Sequence, residues 1–226
     1  MKSRIIVVAL ALLGLCGSSI YGQMTQSKDR TVPSGILSRL VDLPETLDTP
    51  TGIVAHALAS THVPGGIVQI NGCESVAIRK PWRTRTSTLR DTLDAIVQTE
   101  PDYSWFMNDG VVNLVPKGEE PTLLQIRISK LKVKNARSIY LPLSQLMALP
   151  EVREGIAQLG LSQAPNLLIG IGSLKPNEPG YTMDCRNVTL KEALNTIVRV
   201  HGRAVWRYVE TRCNGKAEFS LDFVVE

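Results

Sequence analysis

The chain has 226 residues, 43% of them hydrophobic and 20% charged, with 25 lysines and arginines against 21 aspartates and glutamates. A formal net charge of +4 is too small and too dispersed to predict a nucleic-acid-binding surface. The length suits two small domains of about 100 residues each.

Lys2 and Arg4 precede an uncharged apolar run from Ile5 to Leu15, and small and polar residues follow in Gly17 to Gln23. This is the layout of a secretory signal peptide, expected over residues 1–22 with cleavage after Gly22. The run is shorter than the ~20 residues a membrane helix needs, and no later stretch is apolar enough to span, so no transmembrane segment is expected in the mature chain. Loss of residues 1–22 removes Lys2 and Arg4, leaving 23 basic against 21 acidic residues, a net +2. Residues 23–48 are polar and contain proline, with an apolar interruption from Ile36 to Leu43, and read as an N-terminal arm or one short helix.

A first module is expected over residues 49–116. Thr49 caps and Pro50 opens a helix whose inner face is Ile53, Val54, Ala57 and Leu58. Ile67 to Ile70 and Ser75 to Arg79 read as strands about an Asn71-Gly72 turn. A second helix starts at Thr88, with Leu89, Leu93, Ile96 and Val97 on one face, and stops before Pro101. Tyr103 to Met107, a turn at Asn108-Asp109-Gly110 and Val111 to Val115 make a hairpin. Residues 117–121 form a linker, and a second module spans residues 122–226. It begins with a strand within Leu123 to Val133. A helix over Leu143 to Leu159 follows, interrupted at Pro150 and stopped by Gly160. Residues 161–180 are rich in proline and glycine around a possible strand at Leu167 to Ile171. Then come a strand at Tyr181 to Cys185, a helix from Thr189 to Val200, and a hairpin turning at Asn214-Gly215. The expected fold class is α+β: two related small modules, each a small mixed sheet with helices packed on one face.

The relatedness rests on a gapless repeat. Arg85/Arg186, Thr88/Thr189, Leu89/Leu190, Leu93/Leu194, Ile96/Ile197, Val97/Val198 and Trp105/Trp206 all fall at one offset. Thr88 with Asp91, and Thr189 with Glu192, have capping-box spacing. Trp105 and Trp206 are expected to pack under the repeated helices.

The order of strand, Thr-Leu-x-x-Ala-Leu helix, aromatic strand, turn and apolar strand resembles the short N-terminal domain of secretins and TonB-dependent receptors. Thr189 to Leu194 fits that motif, and Thr88 to Leu93 fits it with Thr92 in place of alanine. The hairpin Tyr103 to Pro116 is similar as well. The resemblance implies a periplasmic, non-catalytic module that docks other proteins, and it brings no catalytic residues. Such modules precede an outer-membrane barrel; no barrel sequence occurs up to Glu226, so none is expected.

Candidate chemistry is sparse. His56, His62 and His201 have no metal-ligand spacing, and no nucleophile elbow, phosphate loop or dinucleotide fingerprint occurs, so no metal, cofactor or catalytic residue is assigned. The densest charge is Arg79, Lys80, Arg83 and Arg85 around Trp82, a candidate contact for an acidic partner. Export would oxidise the cysteines beyond the leader. Cys185 and Cys213, each at the end of a predicted strand about one helix, are the expected disulfide, leaving Cys73 over. Glu218 to Val225 and Leu124 to Ser129 are candidate edges for a partner strand. The expected function is an exported protein–protein interaction protein of the periplasm or cell envelope. The alternatives are a secreted hydrolase, or a small-ligand or glycan-binding protein using Trp82.

Overall fold

The computed structural model describes residues 35–43, 49–73, 87–118, 120–164 and 180–225. The expected signal peptide, the 75–79 strand, the Arg79–Arg85 segment with Trp82, and the strand at 167–171 lie outside these residues. Mixed helix and sheet are present, as the α+β class requires.

In the first half, β1 (Leu40–Val41) leads to α1 (Pro50–Ser60) and β2 (Gly65–Asn71). Thr49 caps α1 by accepting from the Gly52 amide at 3.2 Å, as its sequence announces. β3 (Ser87–Thr88), α2 (Leu89–Thr99), β4 (Tyr103–Asn108) and β5 (Val111–Pro116) follow. The segment read as an arm is built into this half. β1 pairs antiparallel with β3, Val41 is buried, and the carbonyls of Arg39 and Leu37 accept from the amides of Leu89 and Arg90 at 2.9 and 3.0 Å. Those two amides open α2 and have no partner inside the helix, which gives the segment a reason to dock there.

In the second half, a 3₁₀ turn (Thr122–Gln125) takes the place expected for the start of a strand, and β6 (Arg127–Ala136) follows it. The expected helix divides into α3 (Tyr140–Met147) and α4 (Pro150–Gln158). Pro150 cannot continue a helix through its missing N–H but suits the first position of the next. β7 (Leu161–Gln163), β8 (Tyr181–Thr189), α5 (Leu190–His201), β9 (Ala204–Cys213) and β10 (Lys216–Val225) complete the chain. Gly202, with φ +87°, ends α5 in the left-handed conformation that favours glycine.

One six-stranded sheet, in the order β4-β5-β2-β9-β10-β7, runs through both halves. β4/β5 and β9/β10 are antiparallel hairpins, while β2/β5, β2/β9 and β10/β7 are parallel. The first half contributes β4-β5-β2 and the second β9-β10-β7, each a hairpin followed by the strand that precedes it in sequence. β4 runs opposite to β9, so the second set is turned by half a turn about an axis crossing the strands.

The cores agree with that rotation. Ile53, Leu58, Leu89, Leu93 and Ile96 of α1 and α2 pack on Ile67, Val112, Leu114 and Val205. Leu143, Val152, Leu190, Leu194 and Ile197 of α3, α4 and α5 pack on Val68, Val111, Trp206, Tyr208 and Leu221. Ile67 and Val68 are neighbours on β2 and point to opposite faces. Each half therefore keeps its helices on one face, and the two halves use opposite faces. Each core also takes strand residues from the other half: Val205 in one, Val68 and Val111 in the other.

Candidate functional site

The repeat resolves into a helix that anchors a tryptophan. In α2, Thr88 Oγ1 accepts from the Asp91 amide and Asp91 Oδ2 accepts from the Thr88 amide. In α5, Thr189 and Glu192 make the same reciprocal pair. One turn further on, Trp105 Nε1 donates to Asp94 Oδ1 at 2.8 Å and Trp206 Nε1 donates to Asn195 Oδ1 at 2.7 Å. Both indoles are thus tied to the same position of their helices, by an aspartate in one case and an asparagine in the other.

Their surroundings differ. Trp206 is fully buried because β2 runs beside β9 and places Gly66 opposite it. A Cβ on Gly66 would lie 2.2 Å from Trp206 Cε2, so the ring occupies the space a side chain would need. Trp105 sits on β4, the outermost strand at its end of the sheet, and is only half-buried. Among the described residues no strand lies beyond β4. Next to Trp105, Phe106 is 41% exposed. The Arg90 guanidinium lies 5.6 Å from the Trp105 ring centroid and Lys191 Nζ 5.2 Å from that of Phe106. Lys191 also reaches Glu120 Oε1 at 2.5 Å, which ties the linker segment to α5 beside this edge.

The hydrogen-bonding phase of the edge follows from the hairpin. Asp109 and Gly110, both at positive φ, make its two-residue turn, closed by Asn108 opposite Val111. At the other end the Lys117 amide donates to the Asp102 carbonyl. Alternation between these points turns the backbone groups of Ser104, Phe106 and Asn108 toward β5. Those of Trp105 and Met107 turn outward.

The sequence-derived candidates fare unequally. Arg79, Lys80, Trp82, Arg83 and Arg85 lie outside the described residues. The Cys185–Cys213 pairing is overturned: Cys213 is bonded to Cys73, with Cα atoms 4.6 Å apart, and Cys185 is a buried free thiol. The expectation placed the strands flanking α5 in one sheet, but β8 pairs with β6 in a separate ribbon. Cys73 and Cys213 instead continue the parallel register of β2 and β9, two residues beyond Asn71 opposite Thr211. Burial pushes the Cys185 thiol pKa up, which keeps it protonated and unreactive.

Of the two edges expected from sequence, β10 takes β7 only at Ala217 to Phe219, so on the side away from β9 no strand lies beside Ser220 to Val225 among the described residues, and β6 is paired with β8 on one side alone. On β6 the Ser129 amide also donates to Glu151 Oε1 at 3.1 Å. The β4 edge was not anticipated. The signal for it was the tryptophan repeat itself, read together with the two glycines before Ile67.

His56 Nε2 lies 3.1 Å from the Asp42 carbonyl, and the His201 ring meets Tyr181 edge-on at 6.0 Å, so both have structural roles. A buried carboxylate that sequence reasoning missed, Glu210, accepts from Tyr208 Oη at 2.5 Å and from Arg212 Nε at 2.6 Å. Both of its oxygens are engaged, and burial followed by this hydrogen bond raises the Tyr208 pKa. This network closes on itself. Among the described residues no group of three or more histidine, cysteine, aspartate or glutamate side chains is placed to hold a metal, and no helix is long and apolar enough to cross a membrane.

Comparison with protein-family models, with curated proteins and with solved structures finds no match for this chain.

Proposed function

We propose that this chain is an exported, non-catalytic protein that binds other proteins of the periplasm or cell envelope. The observation that carries the reading is the β4 edge, where a half-buried tryptophan, an exposed phenylalanine and outward backbone groups meet with no strand beyond them among the described residues. Unpaired edges of this kind bind by main-chain hydrogen bonding unless they are protected. The basic and apolar leader sequence supports export, and the Thr-Leu-x-x-Ala-Leu helices support kinship with secretin and TonB-receptor N-terminal modules.

A photo-crosslinking residue placed at Phe106, in the full chain exposed to envelope extract, tests this. A defined protein should be captured from that position and not from Glu154, on the exposed side of α4. Equal capture from both positions, or none from Phe106, would count decisively against the reading.

A further inference from the structure

The internal junction between β2 and β9 describes what β4 can accept. We infer that β4 binds, in parallel, an extended segment of a partner protein carrying glycine opposite Trp105 and a branched apolar residue directly after it. The inference rests on the interaction reading above and specifies the ligand.

Trp105 and Trp206 are equivalent by three independent marks: a common offset in sequence, the same indole hydrogen bond to the repeated helix, and the same position in the first strand of a hairpin. An indole fixed at both its strand and its helix has little freedom, so Trp105 projects over the lane next to β4 as Trp206 projects over β2. In the second half that lane is filled by Gly65-Gly66-Ile67-Val68, running parallel to β9 with Gly66 opposite Trp206 and Ile67 opposite Arg207. By the repeat offset, Phe106 corresponds to Arg207. A segment lying in the same way along β4 must lack a Cβ beside the Trp105 ring, since that atom would collide as it would at Gly66. Its next residue comes beside Phe106, in the place Ile67 takes beside Arg207, and the exposed part of the Phe106 ring, over which Lys191 also lies, favours a branched apolar residue there. Trp105 and Met107 offer the outward donors and acceptors that the corresponding β9 residues Trp206 and Tyr208 present toward β2.

A second copy of this chain is the less fitting occupant: β7, which holds beside β10 the place that β2 holds beside β5, has three residues against the seven that β2 lays along β9.

The test uses the full chain carrying Trp82→Phe, so that emission reports Trp105 and the buried Trp206. The probe is a capped peptide of residues 64–71, PGGIVQIN, with two lysines added for solubility. Saturable binding with a blue shift is expected, and a peptide with valine in place of the second glycine should bind at least about tenfold more weakly, the loss a misfit at one strand position produces. Met107→Pro removes one outward amide while leaving the hairpin bonds intact, and should abolish the shift. If that variant misfolds by circular dichroism, Phe106→Lys at an exposed position serves instead, with weakened binding expected. Equal affinity for the two peptides, or no binding to a folded protein, overturns the inference. A dimer seen by sedimentation and lost in Met107→Pro also overturns it, because the edge would then belong to a second copy. Crosslinking of a partner at Phe106 together with peptide failure would leave the interaction reading standing and remove only this ligand rule.

Discussion

At Gly66 the backbone of β2 passes under the Trp206 indole, and Cε2, Cζ2 and Nε1 would all lie within 2.5 Å of an added Cβ. The ring cannot withdraw, because Nε1 is bonded to Asn195 and the residue is fully buried. Gly66→Ala should therefore lower stability by about 1–3 kcal/mol, the range for overpacking a filled core, read as a lower urea midpoint with unchanged slope. Asn195→Ala acts on the same ring from above. It leaves a buried indole N–H without its acceptor, at a cost of about 1–3 kcal/mol. Asp94→Ala should cost less, because water reaches the half-buried Trp105. Equal losses in the two alanine variants would show that the exposure difference between the tryptophans has no energetic weight. The sequence made both tryptophans visible as packing residues. It did not reveal their acceptors, because Asp94 and Asn195 differ in identity and share only the ability to accept a hydrogen bond.

The disulfide belongs to the scale of elements, since it fastens the end of β2 to the end of β9 across 140 residues of sequence. Local signals found most of the elements themselves. Thr49, Thr88 and Thr189 announce helices, Pro150 divides one, and Asp109-Gly110 and Asn214-Gly215 turn the two hairpins at positive φ. Which strands lie side by side was not legible. The β2/β9 contact joins residues far apart in the chain, and no periodicity encodes it, so the cysteines were assigned to the wrong strands. Two outcomes follow for the folded, oxidised protein. Peptide mapping should recover Cys73 linked to Cys213, with Cys185 resistant to iodoacetamide until denaturant is added. Cys73→Ser should destabilise by up to about 5 kcal/mol, the chain-entropy value for so long a loop. Rapid native labelling of Cys185 would contradict its burial beneath α5.

Two repeated halves could unfold one after the other, but the shared sheet argues for a single transition. Val205 of the second half packs among α1 and α2, Val68 and Val111 of the first pack beneath α5, and β2/β9 hydrogen bonds cross the boundary. Repetition in sequence suggested two separable modules; the cross-boundary burial was hidden because each borrowed residue already belongs to a strand of its own half. Alkaline titration can distinguish the two behaviours. Burial raises Tyr181 to about 12, and Tyr208 is raised by burial and then by its bond to Glu210. An unfolded tyrosine ionises near pH 10. Above that pH the unfolded chain releases protons that the folded chain retains, so the native state holds more protons and its stability falls as pH rises. The contribution of Tyr181 is intact below pH 10 and is lost between pH 10 and about 12. Both tyrosines lie in the second half, while Trp105 reports on the first. In a protein carrying Trp82→Phe and Trp206→Phe, which leaves Trp105 as its one tryptophan, late tyrosinate absorbance at 295 nm should therefore rise together with the change in Trp105 emission. If the buried tyrosines ionised while Trp105 kept its native spectrum, the halves would be separate folding units, and the continuous sheet would be a contact between two domains instead of their common framework.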